Sequence, residues 1–299
     1  MKKFFSVAVL VLVLVLPSFA LSVPSNHLVS ASWLSKNLGD KNIVVVDLSS
    51  PKVFAKGHIT GAVNIPKKLF FTGYAGSIKA LLPNPYQIKK LFSNAGISNN
   101  SNVVFVAHVK KAKKYTDMTR GFWTAWVYGM RQNAILDGGI EAWVASGEKL
   151  STAKTMVKKA NFKVRKLSAD VKSLVDVKAA LVNGNVQLVD AREMKHFVGK
   201  DKDKRLKRHG HIPGAKKVSA YLFAKKDGKL FKLVSSAQAQ EILKKDGVSL
   251  NKPIIAYCNT GHLATGTWFV TKFIAGVKNV ADFDGSMYEY SRSAMPVVK

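Results

Sequence analysis

Short apolar runs rich in valine and isoleucine recur along the chain at residues 43–47, 103–107, 187–190 and 253–257. Runs of this length, nearly free of polar interruption, read as strands buried on both faces, the habit of a parallel sheet. Between them apolar residues return every three to four positions. That periodicity predicts helices at about 32–38, 85–95 and 119–129, the second with Asn84 as cap and Pro85 in its first turn. A further strand is expected at 134–136. Such alternation predicts α/β architecture, a mainly parallel sheet with helices on both faces. Ligands of such sheets collect beyond the carboxyl ends of the strands.

The pattern occurs twice. Val45-Val46-Asp47 is matched by Leu188-Val189-Asp190, a buried strand ending in a carboxylate. Gly57-His58-Ile59-Thr60-Gly61-Ala62 is matched by Gly210-His211-Ile212-Pro213-Gly214-Ala215. Ala95-Gly96-Ile97-Ser98, the run 103–107, Gly121-Phe122-Trp123 and Leu136-Asp137-Gly138-Gly139 find partners in Asp246-Gly247-Val248-Ser249, the run 253–257, Gly266-Thr267-Trp268 and Phe283-Asp284-Gly285-Ser286. The six pairs keep their order, offset by 143, 153, 151, 150, 145 and 147 residues. Two copies of one domain are therefore expected, at 26–150 and 161–299, joined by the polar stretch 151–161.

Residues 1–20 read as an export signal. Met1, Lys2 and Lys3 are followed by an apolar run at 4–16, then Pro17 and the small residues Ser18 and Ala20 before a cleavage point. The run is too short to span a bilayer, for which about 20 residues are needed. A cleaved chain in the bacterial periplasm, with no stable membrane span, is the expectation.

The 299 residues carry 47 Lys plus Arg against 18 Asp plus Glu, a formal charge of +29. This surface attracts anions generally. No zinc-finger spacing, RNA-binding signature or basic helix fork is present, so nucleic acid is not expected as a partner. Two basic clusters stand out, Lys110, Lys111, Lys113 and Lys114, and the segment 200–208, where Asp201 and Asp203 interrupt six basic residues. Solvated loops account for both; attraction of an anionic substrate or surface is the alternative.

One cysteine excludes an intramolecular disulfide and any multi-cysteine metal site. Cys258 follows the run 253–257, and Asn259-Thr260-Gly261-His262 then leads into a helical pattern. A thiol at a strand end, in a tight loop before a helix, faces backbone N–H groups and the positive end of the helix dipole. Both favour thiolate, and the expected pKa is depressed into roughly 3.5–7.5. A small buried hydrophobe is the plain alternative.

The duplicated aspartate-ended strand, the Gly-His-Ile-Pro-Gly-Ala segment and the cysteine loop before a helix resemble the rhodanese family. Cysteine in the second copy alone resembles its tandem members, thiosulfate and 3-mercaptopyruvate sulfurtransferases. The resemblance implies two rhodanese-like domains, the first catalytically silent, and a double displacement without metal or organic cofactor. Cys258 takes sulfane sulfur from a donor such as thiosulfate as a persulfide and passes it to cyanide, a thiol or an acceptor protein. A persulfide carrier with little small-molecule turnover is the alternative. The implied substrate-binding set is Asn259, Thr260, Gly261, His262, Leu263 and Ala264 of the loop, with Arg192 and His196.

Several positions depart from the family pattern. Asn259 and Thr260 stand where thiosulfate-using members include arginine and lysine, Leu263 replaces a threonine, and His196 an arginine; Arg192 keeps the Asp-x-Arg spacing from Asp190. Arg205 and Arg208 of the basic segment are candidates for the missing positive charge. A Cys-x5-Arg phosphatase would need arginine where Ala264 stands. His58, His211, Asp47 and Asp190 occur in both copies, the silent one included, and are expected to be structural. Trp123, Trp126, Trp143 and Trp268 read as packing residues.

Overall fold

The computed structural model describes residues 21–299, and the expected export signal lies outside the described residues. The first half contains β1 (Leu28–Val29), α1 (Ala31–Asn37), β2 (Ile43–Asp47), α2 (Pro51–Phe54), β3 (Val63–Asn64), a hairpin β4 (Gly73–Ala75) and β5 (Ile78–Leu81), α3 (Pro85–Asn94), β6 (Asn102–Val106), α4 (Tyr115–Val127), β7 (Asn133–Leu136) and α5 (Gly139–Ala145). The second half repeats the order as β8 (Val171–Lys172), α6 (Leu174–Asn183), β9 (Gln187–Asp190), α7 (Met194–Phe197), β10 (Lys216–Lys217), the hairpin β11 (Ala224–Asp227) and β12 (Leu230–Leu233), α8 (Ser236–Lys245), β13 (Ile254–Tyr257), α9 (His262–Phe269), β14 (Val280–Phe283) and α10 (Ser286–Tyr290).

Each half builds a five-stranded parallel sheet of the same topology, β3-β2-β6-β7-β1 and β10-β9-β13-β14-β8. The central strands are buried, as their apolar runs require. Asn84 and Pro85 start α3 as expected, with Asn84 and Gln87 forming a reciprocal capping box. Helix α4 begins at Tyr115 rather than near residue 119, because a short 3₁₀ turn at Ala112–Lys114 carries the lysine-rich loop straight into it.

The repeated residues do matching work. Asp47 accepts from the Ser49 N–H at 2.8 Å, and Asp190 from the Arg192 N–H at 2.9 Å, so each organises the loop after its strand. His58 stacks on Phe54 and bonds its carbonyl; His211 does the same with Phe197. Residues 152–169 form the connection and carry no regular element. Phe162 anchors it with no exposure, packed edge-on against Phe92. Full burial of such a side chain contributes about 1.5–3 kcal/mol.

The halves are locked face to face through α4 and α9. Gly266 permits the close crossing, since a Cβ there would meet Thr116 Cγ2 and Tyr115 Oη at 2.7 Å. Thr119 and Thr265 bond across the pseudo-symmetric contact at 3.1 Å. Trp126, Trp268, Phe122 and Phe273 form one aromatic cluster spanning both halves; Trp123 is buried in the shared core, and Trp143 belongs to the core of the first half. Each hairpin is also caught by the opposite half: Leu82 N donates to Asp284 at 2.6 Å, and Leu233 N to Asp137 at 3.0 Å.

Candidate active site

Cys258 directly follows β13 at the carboxyl end of the second sheet. Asn259, Thr260 and Gly261 make a loop so short that α9 starts four residues later. Gly261 has φ +66°, and a Cβ there would lie 2.6 Å from the Asp284 carbonyl oxygen, so only glycine closes the turn. Ser286, whose φ is +48°, staples the loop from below. Its hydroxyl accepts from Cys258 N at 3.0 Å and Gly261 N at 2.9 Å while donating to the Phe283 carbonyl at 2.8 Å. The first turn of α10 completes the dock, Met287 N donating to the Cys258 carbonyl and Tyr288 N to that of Asn259.

The backbone N–H groups of Thr260, Leu263 and Ala264 face the sulfur, as the strand–loop–helix reading required. The expected depression of the thiol pKa is nevertheless not found. Cys258 is only 1% exposed, packed with Ala191, Ala220, Ala256 and Ala264, and burial pushes the thiol up, with the charge of Asp282 as the second cause. Three amides soften this and do not reverse it. Asp282 is itself fully buried, with neither carboxyl oxygen hydrogen-bonded, and burial holds it well above the usual carboxylate range. Burial, the first cause, is the main obstacle to thiolate.

A cleft of about 320 Å³ opens beside the loop, between the halves. Thr260, His262, Arg205 and Tyr288 line it from the second half; Phe71, Lys79 and Ala80 from the first. Cys258 does not reach its wall. His262 Nε2 lies 3.0 Å from Asp117 Oδ1 of α4, and burial lowers the imidazole pKa against the pull of that carboxylate. A neutral ring here donates Nε2–H to Asp117 and keeps Nδ1 as an acceptor. Leu263 and Ala264 pack beside the sulfur rather than in the cleft.

Arg192 is turned away from the cleft. It is 1% exposed, forks onto Asp190 at 2.6–3.1 Å, and donates to the Gly210 carbonyl and to Asn259 Oδ1. Four of its five N–H donors are spent on shaping the loop. The Asn259 amide donates in turn to Asp203 at 2.7 Å, which ties the basic segment to the active loop. Arg205 forks onto the same Asp203, and this bond above all holds the Asp203 carboxyl down at about 2. Of the two arginines expected to replace the missing charge, Arg205 lines the cleft. Arg208 instead donates to the Tyr290, Ser291 and Ser293 carbonyls. His196 faces Asp201 at 3.7 Å and is absent from the cleft wall.

Four residues of the site were not marked as such by the sequence reading. Ser286 closes the repeated Phe283-Asp284-Gly285-Ser286 segment and Asp282 lies in the strand just before it, neither assigned a part in the site there, and Asp117 comes from the half without cysteine. Arg120 of α4 belongs with them: unexposed, it donates to Asp284 at 2.7 Å and to the Gly261 carbonyl at 3.3 Å, fixing the loop against the first half. The paired offsets near 146 were the available signal, since they bring residues 116–120 opposite 262–266.

The sequence profile of the rhodanese-like domain matches residues 30–146 and 173–293. A Mycolicibacterium smegmatis protein provisionally named a thiosulfate sulfurtransferase is 30% identical over 273 residues, which is 89% of this chain and 95% of that one. A Synechococcus elongatus protein of the same provisional name is 27% identical over 294 residues, covering 94% and 88%. Among solved structures, the 3-mercaptopyruvate sulfotransferase SseA of Escherichia coli aligns with a TM-score of 0.72 at 24% identity, covering 87% of this chain and 98% of its own. The anaerobic ergothioneine biosynthesis enzyme of Chlorobium limicola aligns at 0.75 with 19% identity, covering 92% and 70%. At these identities the two structures speak for the fold.

Proposed function

The chain belongs to the rhodanese-like domain family, and from that premise we propose that it transfers sulfane sulfur through a Cys258 persulfide, with an anionic donor such as thiosulfate. The carrying observation is the cradle of three backbone N–H groups at the sulfur, from Thr260, Leu263 and Ala264, set beside a cleft that holds Arg205. In the first half-reaction the Cys258 thiolate attacks the outer sulfur of thiosulfate. The S–S bond of the donor breaks, sulfite leaves with the bonding pair, and the enzyme holds Cys–S–S⁻ with the terminal charge toward the amides. In the second, cyanide or a thiolate attacks that terminal sulfur and Cys258 leaves as thiolate. No metal or organic cofactor enters either step. Export to the periplasm belongs to the same proposal, on the leader-like residues 1–20.

One observation favours a second reading. The thiol is nearly sealed and raised in pKa by burial, which suits a persulfide carrier that discharges slowly to small acceptors and faster to a docked protein. Intact-mass spectrometry after incubation with thiosulfate or 3-mercaptopyruvate tests the common step. The expected gain is one sulfur, lost in Cys258→Ser; no gain with either donor overturns the proposal. Stable loading with near-zero cyanide-dependent turnover selects the carrier.

A further inference from the structure

A second cavity, of about 460 Å³, opens in the cysteine-free half. Leu48, Ser49, Ala107 and His108 line it at the carboxyl ends of β2 and β6, the same topological place that the cysteine loop takes in the other half. The strand registers match, Asp47 opposite Val106 and Asp190 opposite Tyr257, so Ala107 stands where Cys258 stands. From there the chain takes eight residues to reach α4, against four from Cys258 to α9. The longer loop carries Lys110, Lys111, Lys113 and Lys114, the cluster that the chemistry at Cys258 leaves unused.

The cavity has two characters. Leu48, Pro51, Val53 and Pro66 give it an apolar lining, and five lysines surround it. Asp117 is the one carboxylate in the wall, and it is already engaged by Lys67 at 2.9 Å, Lys114 at 3.4 Å and His262 at 3.0 Å. Lys68, Lys110 and Lys111 have no ion-pair partner among the described residues. Unneutralised cations gathered at one concave, partly apolar site hold a standing attraction for an anion. The volume exceeds what a lone oxyanion fills and falls in the range of pockets for organic ligands, roughly 300–1,000 Å³.

We propose that this cavity binds an organic anion, its apolar body on Leu48, Val53 and Pro66 and its charged head among Lys68, Lys110 and Lys111. The site is separate from Cys258, and its test runs on the Cys258→Ser protein, so the result does not depend on sulfur transfer. The probe is 1-anilinonaphthalene-8-sulfonate, titrated by fluorescence at low ionic strength, where such attraction is least screened. One saturable site is expected. The triple variant Lys68→Ala, Lys110→Ala, Lys111→Ala should weaken it at least about tenfold, and Val53→Asp, which puts a carboxylate on the apolar wall, should weaken it as well. The control triple Lys41→Ala, Lys89→Ala, Lys90→Ala removes equal charge from exposed positions elsewhere and should change affinity less than about twofold. Unchanged binding in both cavity variants, or an equal loss in the control, overturns the site. Inorganic sulfate binding as tightly as the aryl sulfonate overturns the organic body.

Discussion

Asp117 in the cysteine-free half holds His262, four residues beyond Cys258, with Nε2 and Oδ1 3.0 Å apart. The half without cysteine thus supplies the carboxylate that orients the cysteine loop. Burial alone would raise the Asp117 pKa, but bonds from His262 and Lys67 outweigh it and hold the carboxyl below the usual range. A group depressed in the folded state stabilises fully above its unfolded pKa and loses that contribution as pH falls through the folded value. Asp117→Asn should therefore cost about 1–3 kcal/mol at pH 7, and the gap from wild type should hold down to about pH 4 and narrow only below it, as pH falls toward the folded value. Chemical unfolding at pH 7, 5 and 3 measures it; a gap that already narrows between pH 7 and 5, or one no narrower at pH 3 than at pH 5, contradicts the linkage.

Ser286 is the acceptor for two N–H groups of the cysteine loop. Ser286→Ala strands both donors in a buried place, with an expected loss of about 1–3 kcal/mol in stability. Persulfide formation should slow by roughly tenfold or more as the amide cradle loosens. Stopped-flow loading with thiosulfate reads the rate, and an unaltered rate would show that the staple is irrelevant to the chemistry.

Asp282 occupies the register position of Ile135 in the other half, each paired to its central strand. It lacks hydrogen-bond partners in the core. Asp282→Ile should stabilise by about 1–3 kcal/mol. Burial raises this carboxyl, so its wild-type state is most stable below the unfolded pKa near 3.9 and weakens as pH rises toward the folded value. The gain from substitution should accordingly be larger at pH 8 than at pH 5, by thermal unfolding at both. A gain independent of pH would mean that the carboxyl titrates normally.

With the Cys258 thiol pushed up by burial, only a small fraction is thiolate at neutral pH. Loading rates should climb close to tenfold per pH unit between pH 7 and 8.5 and show no plateau there. A plateau below pH 7.5 would mean that donor binding, or the amides, ionise the thiol after all.

Arg205 lies in the cleft wall with its side chain half-exposed, oriented by Asp203. Arg205→Ala should raise the thiosulfate KM several-fold or more while changing turnover less, the pattern of lost ground-state binding. Arg208→Ala should act on stability instead, since its donors hold the carbonyls of Tyr290, Ser291 and Ser293. Equal KM effects from the two would deny Arg205 a special place.

The amino-acid order alone determined the duplication, the alternation of buried strands and helices, and the station of Cys258 at a strand end. These are local matters: periodicity, caps and glycine turns act over a few residues and repeat legibly when a domain is copied. Tertiary packing decided what surrounds the sulfur. Whether a thiol is ionised depends on how much hydrocarbon closes over it, and Ala191, Ala220 and Ala256 come from three separate segments. Packing also turned Arg192 inward to Asp190, brought Arg205 into the cleft, and set Asp117 against His262 across 145 positions of chain. Desolvation and charge act through space, so contacts between distant segments, invisible in any short stretch of sequence, set the chemistry of the site.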